Sequence, residues 1–284
     1  MAQPKKINSV GTTLTAEEKE LNLRRLMREM RKVLVAYSGG VDSAYLALIA
    51  TQELGQNAVC LTGISPSVSG KQQTEAKRIA EDFNLNYQTV DTDEFENPLY
   101  QANPVNRCYH CKTELYGKLQ LIAERNKITF VLDGANTDDV GDYRPGRTAA
   151  AEKSVRSPLI EVGLSKNEIR ELSKKQQLPT WDQPSSPCLS SRIAYGVPVT
   201  IERLSKVERG EEFIRSLGFR EFRVRVHDEL ARLEIAPNEI ERALNIEITD
   251  KIAAKFRQLG FKYVTLDLHG YRSGAMNEVL ENKS

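Results

Sequence analysis

The chain has 284 residues, enough for two domains or one large one, and its 40 basic and 39 acidic residues leave a formal net charge of +1. This balance gives no general attraction to nucleic acid or to an anionic membrane, so any anionic ligand must be held locally. Four cysteines are too few for a secreted disulfide scaffold of this length, and the polar residues 1–15 resemble neither a signal peptide nor a membrane span. We therefore expect a cytoplasmic protein without a nucleic-acid or membrane partner.

Strands and helices alternate along the first half of the chain. Thr15 and Glu18 have the spacing of a helix N-cap, and the helix they begin is predicted to end near Arg31. The continuous apolar run 33–37 is typical of a strand buried on both faces, and a helix over 44–54 follows it. The alternation continues with strands at 58–63, 86–90 and 129–133 and helices at 69–83 and 112–125.

This order predicts an α/β fold with a parallel sheet and helices on both faces. Ligands of such sheets bind at the carboxyl ends of the strands. The loops after Tyr37, Leu61 and Leu132 are therefore expected to share one mouth.

Two stretches are rich in loop-forming residues, 140–160 and 179–198, and the second, which contains four prolines, is interpreted as a domain junction. Beyond it, Gly218-Phe219 and Gly260-Phe261 mark two copies of a helix, Gly-Phe, strand unit, separated by 42 residues since 260 minus 218 is 42. A strand at 230–235 and helices near 238–244 and 249–259 complete a small α+β domain. The predicted organisation is a first domain over 1–180, a loop over 181–198 and a second domain over 199–284, with a role in substrate binding or oligomerisation.

A glycine-rich loop lies between the first buried strand and its helix. Two adjacent glycines let the backbone turn tightly and bring N–H groups to a phosphate, and the helix start adds its positive dipole end. No lysine follows the glycines, so this is not the common P-loop of NTPases. A turn that only caps the helix is the alternative interpretation. The loop consists of Ser38, Gly39, Gly40, Val41, Asp42 and Ser43.

A second candidate nucleotide-binding segment runs from Asp133 to Asp139 after another buried strand. Asp133 and Asn136 would lie at the same sheet edge as the glycine-rich loop. Asp, Asn and Gly are also common in ordinary turns, so the composition alone does not decide between a nucleotide-binding segment and an ordinary turn.

Three cysteines are candidates for chemistry. Cys108 and Cys111 stand three apart just before the helix predicted from Lys112, where two thiols can face one metal, and Cys188 is the third. Three cysteines on an iron–sulfur cluster would leave one iron open to a sulfide or substrate. A redox dithiol and an incomplete zinc site remain alternatives for the pair. Cys60, inside an apolar strand, is interpreted as a small buried hydrophobic residue.

Two arginines alternate with apolar residues in the predicted strand that begins at Phe222. Arg223 and Arg225 would therefore face one side of the sheet. Such a pair can fork a phosphate, or it can simply form a solvated strand face.

The sequence resembles the LarE-type sulfur transferases of the ATP-pyrophosphatase (PP-loop) superfamily, and the resemblance covers nearly the whole chain. The strings that carry it are Ala36–Ser43, Arg107–Lys112, Pro187–Arg192, Phe222–His227 and Gly270–Gly274. The resemblance implies an enzyme that cleaves ATP between its α- and β-phosphates with Mg²⁺, adenylates the carboxylates of pyridinium-3,5-biscarboxylic acid mononucleotide and converts them to thiocarboxylates. This reaction contributes to the nickel-pincer cofactor of lactate racemase.

Within that family the chain resembles the branch with three cysteines, whose thiols hold a 4Fe-4S cluster with a transferable sulfide. In the single-cysteine branch, the cysteine that corresponds to Cys188 gives up its own sulfur and becomes dehydroalanine. The resemblance implies that Asp133 and Asn136 lie near the nucleotide and that Arg223 and Arg225 lie near the substrate phosphate. It also implies substrate-binding roles for Lys112, Ser191, Arg192, Glu211 and Glu234.

The family further suggests a homo-oligomer, with a hexamer as one form, and a sulfide donor protein as a partner. Two other functions are compatible with the same motifs. One is a PP-loop enzyme that thiolates or amidates another acceptor such as tRNA, although the net charge shows no evident RNA-binding surface. The other is a non-enzymatic nucleotide or metal sensor, for which the glycine-rich loop and the thiols would be unrelated.

Overall fold

The computed structural model describes residues 14–141, 144–184, 187–272 and 275–276. Its larger sheet is fully parallel, with strand order β3-β2-β1-β4. In the central pairing Val33 lies beside Ala58 on one side and beside Phe130 on the other. The strands of this sheet are β1 Val33–Ala36, β2 Ala58–Ile64, β3 Asn86–Asp91 and β4 Phe130–Leu132.

Helices cover both faces of the parallel sheet, as predicted. The helices of this half of the chain are α1 Ala16–Met30, α2 Val41–Leu54, α3 Gly70–Asp82, α4 Pro98–Gln101, α5 Arg107–Arg125, α6 Pro145–Glu152, α7 Pro158–Glu161 and α8 Lys166–Lys175. Val33 and Val35 of β1 pack into a core that includes residues of α1, α2, α3 and α8. Leu34, which points the other way, packs with residues of α5 and α6. Because both faces of β1 are buried, its sequence is a continuous apolar run.

The predicted elements of this half are found with small shifts at their ends. Thr15 caps α1 in a capping box with Glu18, and Gly55 ends α2 with a positive φ of 56°. Cys60 is fully buried in β2, as expected of a small hydrophobic residue.

Three features differ from the sequence prediction. Helix α5 begins at Arg107 rather than at Lys112, so the Cys-x-x-Cys pair lies inside its first two turns and not before it. The stretch 140–160, predicted to be irregular, contains α6 and α7, which each begin with a proline because its fixed φ suits the first helical position. Helix α8, capped by Ser165, had not been predicted.

The smaller sheet has the order β5-β6-β7, in which β6 is antiparallel to β5 and parallel to β7. Its elements are α9 Ile201–Ser216, β5 Phe222–His227, β6 Leu230–Ile235, α10 Ile240–Ala243, α11 Ile246–Gln258 and β7 Tyr263–Leu266. The two predicted helix, Gly-Phe, strand units are present, as α9 with β5 and as α11 with β7. Helix α11 begins three residues earlier than predicted because Asn245 caps it.

The Gly-Phe aromatic ring of each repeated unit is covered by a cation from outside that unit. The Arg242 guanidinium, which follows the first unit, lies 3.9 Å from the ring centre of Phe219, and Lys206 of the first unit lies 5.9 Å from that of Phe261 in the second. Gly218 and Gly260 adopt positive φ angles of 88° and 89° beside these cations.

The predicted junction joins the two halves through packing. Tyr100, in the short helix α4, is buried in the same apolar core as Ile193, Val199 and residues of β5. Around Cys188 the backbone forms one short 3-10 turn, Leu189–Arg192. Ser185 and Ser186 of this junction, and Ser273 and Gly274 of the last family string, lie outside the described residues. In the part of the chain that the structure describes, no helix has the length and apolar character to span a membrane.

Candidate active site

A cavity of about 610 Å³ opens where the carboxyl edge of the parallel sheet meets β5. This volume is typical of a small-molecule site. Its charged lining residues are Asp42, Arg107, Lys112, Asp133, Asp139, Arg144, Arg147, Arg223, Arg225 and Arg272. Basic side chains outnumber acidic ones in this set, so the cavity suits an anionic ligand even though the whole chain is nearly neutral.

The glycine-rich loop follows β1 and ends in the first turn of α2. Gly39 has a φ of 74°, and a Cβ at this position would lie 2.7 Å from the Cβ of Ala76 in α3. Any side chain would therefore be strained and would collide with α3. Glycine here allows the loop to pass close to α3. The backbone N–H groups of the loop can then face the cavity.

Two serines fix the shape of this loop. The hydroxyls of Ser38 and Ser43 lie 3.0 Å apart, and the Ser43 hydroxyl also accepts from the Ser38 amide at 3.2 Å and donates to the Gly40 carbonyl at 3.1 Å. Gly40 is the N-cap of α2 and no side chain caps the helix there. The first amides of α2, which start at Val41, thus remain available to an anion at the positive end of the helix.

Asp42 faces the cavity from the first turn of α2. Its Oδ2 atom accepts a hydrogen bond from the Lys166 ammonium at 2.5 Å, whereas its buried Oδ1 atom has no hydrogen-bond partner in the described structure. Burial raises the pKa of this carboxyl and the nearby Asp139 adds to the shift, whereas Lys166 and the Asn136 amide oppose it. An orphaned carboxylate oxygen in an anion-binding cavity fits a Mg²⁺ ligand, because Mg²⁺ prefers oxygen donors.

The Asp133 segment lies directly against the start of α2. A Cβ on Gly134 would be 2.8 Å from the Ser43 amide nitrogen, so only glycine permits this approach. Asp133 accepts from Ser157 at 2.7 Å and from the Tyr116 hydroxyl at 3.2 Å. Asn136 caps the turn that follows by accepting from the Asp138 amide at 2.9 Å. The structure therefore brings together the two segments that the sequence placed at one sheet edge.

The three candidate cysteines are free thiols on two separate segments. Cys108 is exposed and lines the cavity, while Cys111 and Cys188 are partly buried. Burial of the Cys111 thiol raises its pKa well above the ordinary value, and Glu94 and Cys188 add to this shift. Cys111 packs against the apolar core that contains Leu189, the residue after Cys188.

These thiols suit an iron–sulfur cluster as a set of donors, because thiolates are the usual ligands of iron in such clusters. In the described residues, however, no group of three or more Cys, His, Asp or Glu side chains is arranged to hold a metal ion. The chemistry of the donors fits the cluster, and the cluster itself stays a prediction.

Lys112 and Ser191 both line the cavity. The ammonium of Lys112 lies 5.4 Å from the ring centre of Tyr116, and its pKa is raised by Tyr116 and also by Cys111 and Asp133. The Ser191 hydroxyl donates to the Cys188 carbonyl at 2.7 Å. Both residues therefore lie in the same cavity as the glycine-rich loop, and Ser191 contacts the Cys188 backbone.

The arginine pair of β5 faces the cavity, as the alternation predicted. Arg225 donates to Glu234 at 2.8 Å and to the Ser191 carbonyl at 3.1 Å, and its buried Nε atom has no hydrogen-bond partner in the described structure. The Arg223 guanidinium lies 4.7 Å from the ring centre of Tyr271. Burial and the nearby Arg192 lower the pKa of Arg223.

Three of the predicted substrate-binding residues do not line the cavity. Arg192 and Glu211 form a buried ion pair at 2.9 Å, and Arg192 also donates to the Cys188 carbonyl at 3.0 Å. Glu234 is fully buried and accepts from both Arg225 and Arg232. In this structure these residues support the cavity wall and the Cys188 segment from behind.

Several lining residues were missed by the sequence analysis. Arg144 and Arg147, from the stretch predicted to be irregular, line the cavity together with Tyr116 and Arg272. The buried Nη1 atom of Arg147 has no hydrogen-bond partner in the described residues. Two arginines flanking a Pro-Gly pair were the available signal, because basic residues in a loop-forming segment are common in anion sites.

A glycine-rich loop without lysine, set between a parallel strand and a helix beside a second Asp and Asn segment, defines the PP-loop class of ATP pyrophosphatases. The comparisons agree: a family model described as NAD synthase matches residues 17–115.

Three relatives match almost the whole chain. An uncharacterised protein of Synechocystis is 46% identical over 264 residues, which cover 93% of this chain and 98% of the relative. The pyridinium-3,5-bisthiocarboxylic acid mononucleotide synthase of Lactiplantibacillus plantarum is 34% identical over 267 residues, 94% of this chain and 96% of the relative. An uncharacterised protein of Methanocaldococcus jannaschii is 30% identical over 259 residues, 90% of this chain and 98% of the relative. The chain belongs to the LarE family of PP-loop enzymes.

Proposed function

We propose that this protein is an ATP-dependent sulfur transferase that converts the carboxylates of pyridinium-3,5-biscarboxylic acid mononucleotide to thiocarboxylates, for the nickel-pincer cofactor of lactate racemase. The observation that carries the proposal is one cavity lined by the PP-loop, by Cys108 and by the arginines of β5. Adenylation and sulfur transfer need the nucleotide, the sulfur and the substrate within reach of one another.

The PP-loop half of the cavity would bind ATP. The amides at the start of α2 and the hydroxyls of Ser38 and Ser43 would hold the pyrophosphate, and Asp42 would hold Mg²⁺ through its unpartnered oxygen. When bound, Mg²⁺ offsets the charge that develops on the phosphates. A carboxylate oxygen of the substrate attacks the α-phosphorus and pyrophosphate leaves.

The sulfur half of the cavity would complete the reaction. The acyl adenylate has a leaving group that the carboxylate lacked, so a sulfur nucleophile forms the carbon–sulfur bond while AMP leaves with the former carboxylate oxygen. Arg223 and Arg225 would bind the substrate phosphate, since guanidinium groups recognise phosphate in a forked geometry.

Two sulfur sources are compatible with the thiols present. Cys108, Cys111 and Cys188 would hold a 4Fe-4S cluster, which supplies a site for a transferable sulfide when bound. Alternatively, Cys188 gives up its own sulfur and becomes dehydroalanine. We also propose a homo-oligomer and a partner protein that replenishes sulfide.

The decisive experiment is anaerobic incubation of iron-reconstituted protein with ATP, Mg²⁺, sulfide and the pyridinium dicarboxylate mononucleotide, followed by mass spectrometry of the protein and the small molecules. Thiolated product over several turnovers with intact Cys188 supports cluster-borne sulfide. One exchange per chain with dehydroalanine at position 188 supports sacrifice of Cys188, and AMP without thiolated product overturns sulfur transfer.

A matched pair of variants isolates the thiol. Cys188→Ala is expected to abolish thiolation by either route. Cys60→Ala is the control, because Cys60 is buried in β2 and burial raises its pKa to about 12, so it stays a protonated thiol away from the cavity. Equal loss in both variants would show that the defect comes from misfolding.

A further inference from the structure

Tyr116 lies on α5 and lines the cavity, although only 3% of the residue is exposed. It packs in the apolar core that also contains Val131 of β4, the strand that leads to Asp133. Lys112 stands four residues earlier on α5, so the two side chains share one face of the helix. Tyr116 therefore adjoins both a residue of the predicted nucleotide-binding segment and a residue predicted to bind the substrate.

The hydroxyl of Tyr116 fixes one oxygen of the Asp133 carboxylate. Oδ1 of Asp133 accepts from the Ser157 hydroxyl at 2.7 Å and from the Ala135 amide at 3.2 Å. Among the described hydrogen bonds, Oδ2 accepts only from the Tyr116 hydroxyl, at 3.2 Å. Asp133 is buried, and a buried acceptor that loses its donor carries the full cost of its desolvation. Without the Tyr116 hydroxyl, this carboxylate is therefore expected to reorient.

The ring of Tyr116 limits where the Lys112 ammonium can stand. The ammonium lies 5.4 Å from the ring centre, within the range of a cation–π contact. A Cβ at Gly146 would lie 3.0 Å from Cγ of Lys112, so glycine at the start of α6 leaves room for the lysine stem. None of the described ion pairs or hydrogen bonds includes the Lys112 ammonium, and the residue lines the cavity. A cation held by a ring rather than by a carboxylate keeps its charge for a ligand.

We propose that Tyr116 is a positioning residue that fixes Asp133 through its hydroxyl and Lys112 through its ring, so that one side chain sets the geometry of the ATP subsite and of the substrate subsite. For the ligands of these subsites, the inference rests on the proposed function. The Asp133 contact is tested with an ATP analogue and needs only nucleotide binding by the PP-loop. It can therefore fail while sulfur transfer stands, and it can hold if the acceptor is a different molecule.

The Asp133 contact is tested by the dissociation constant of α,β-methylene-ATP with Mg²⁺, measured by calorimetry. This analogue resists cleavage between its α- and β-phosphates, so binding is measured without turnover. Tyr116→Phe is expected to weaken binding about three- to tenfold, the effect of losing one buried hydrogen bond. Tyr109→Phe is the control, because Tyr109 of the same helix donates to Glu152 at 2.8 Å in an exposed position. Unchanged affinity in Tyr116→Phe, or equal weakening in Tyr109→Phe, overturns the Asp133 role.

The Lys112 contact is tested by the dissociation constant of the pyridinium dicarboxylate mononucleotide. Tyr116→Phe keeps the ring and is expected to keep this affinity. Tyr116→Leu removes the ring and is expected to weaken binding about three- to tenfold, because a partly desolvated cation–π contact has an energy of that size. Equal affinity of Tyr116→Leu and the native protein overturns the Lys112 role. A native protein that does not bind the mononucleotide contradicts both this role and the proposed acceptor, and leaves the result with the ATP analogue unaffected.

Double-mutant cycles separate positioning from general packing. Asp133→Ala and Lys112→Met remove the two groups that Tyr116 holds. Adding Tyr116→Phe to Asp133→Ala is expected to cause no further loss of affinity for the ATP analogue. Adding Tyr116→Leu to Lys112→Met is expected to cause none for the mononucleotide. Additive losses in these cycles overturn the positioning role.

Gly146→Ala keeps the Lys112 role testable if Tyr116→Leu does not fold. The added methyl group crowds the lysine stem from α6 and leaves the side chains of Tyr116 and Asp133 in place. It is expected to weaken mononucleotide binding about threefold, because the ammonium is moved from the ring, and to leave the affinity for the ATP analogue unaltered. The reverse pattern, or no change in either affinity, contradicts the Lys112 role.

Discussion

The two halves of the cavity are built in different ways. The PP-loop is one contiguous hexapeptide whose shape comes from two glycines and from bonds between Ser38 and Ser43. The sulfur half combines the start of α5, the junction around Cys188 and strand β5, which are held together by buried ion pairs such as Arg192 with Glu211. A local site can be recognised as a motif, whereas an assembled site depends on side chains that never contact the ligand.

The largest predicted effect is a loss of stability when Glu234, behind the sulfur half of the cavity, is replaced. This fully buried carboxylate accepts from Arg225 and Arg232. Glu234→Ala leaves the buried Arg225 without the carboxylate it pairs with, whereas Arg232 keeps Asp267 at 3.4 Å. Loss of one partner of a buried pair costs about 3–5 kcal/mol of unfolding free energy, measured by chemical denaturation. Glu202→Ala is the control, because Glu202 pairs with Lys206 in an exposed position and the change is expected to leave the unfolding midpoint unaltered. Equal stability of the two variants would contradict the structural role of Glu234.

In the PP-loop, by contrast, the addition of a single methyl group is expected to reduce activity. Gly39→Ala places a Cβ 2.7 Å from Ala76, which displaces the loop, and a misplacement of this kind costs about a hundredfold in rate. The measurement is AMP formation with saturating substrate. Gly55→Ala is the matched control, since Gly55 also has a positive φ but nothing lies within 4 Å of an added Cβ. If Gly55→Ala slowed AMP formation equally, backbone strain rather than the collision would be the cause.

A smaller effect is expected at the substrate end of the assembled half. Arg223→Gln removes a charge that faces the cavity, and the loss of a charge-assisted hydrogen bond is expected to raise KM for the mononucleotide about tenfold with a small change in kcat. Arg220→Gln is the control, because Arg220 is exposed just before the same strand. A drop in kcat with unchanged KM would place Arg223 in the chemistry rather than in binding.

The smallest effect is a pH dependence of stability through His227 at the end of β5. Burial, together with Arg232, lowers the pKa of this imidazole below its ordinary value. The folded chain therefore binds fewer protons than the unfolded chain, so this contribution to stability is complete above about pH 6.5 and is lost as the pH falls toward the folded-state pKa. Denaturation at pH 7.5 and 5.5 should show lower stability at the acidic pH, and His227→Gln should reduce the difference. An unchanged difference in the variant would assign the effect to other groups.

The sequence predicted the parallel sheet and the PP-loop because both have local signatures. The apolar run of β1 and the glycines at 39 and 40 are visible without any tertiary contact. The early start of α5 was not predicted, because the first two turns of that helix carry two cysteines and a buried Arg107 instead of an amphipathic pattern. Arg107, the first residue of α5, donates to the Asn103 side chain and to the Ser190 carbonyl, contacts that no local pattern reveals.

The residues of the cavity wall were predicted less completely, because the positions of several of them depend on tertiary contacts. Arg223 and Arg225 followed from strand alternation, but Arg147 lies on a helix that begins at a proline within a segment of loop-like composition. The ion pair of Arg192 with Glu211 spans 19 residues and joins the junction to α9, and no pattern of spacing reveals it. Pairs of this kind are set by the packing of whole elements.

The reciprocal cover of Phe219 and Phe261 has a consequence for synthesis of the chain. Each ring is covered by a cation that belongs to, or directly adjoins, the other repeated unit. Because Phe261 leaves the ribosome after Lys206, Phe219 and Arg242, both contacts can be present only when the second unit has been made. The two repeated units are therefore expected to reach their full set of contacts late in synthesis, when nearly the whole chain has been released.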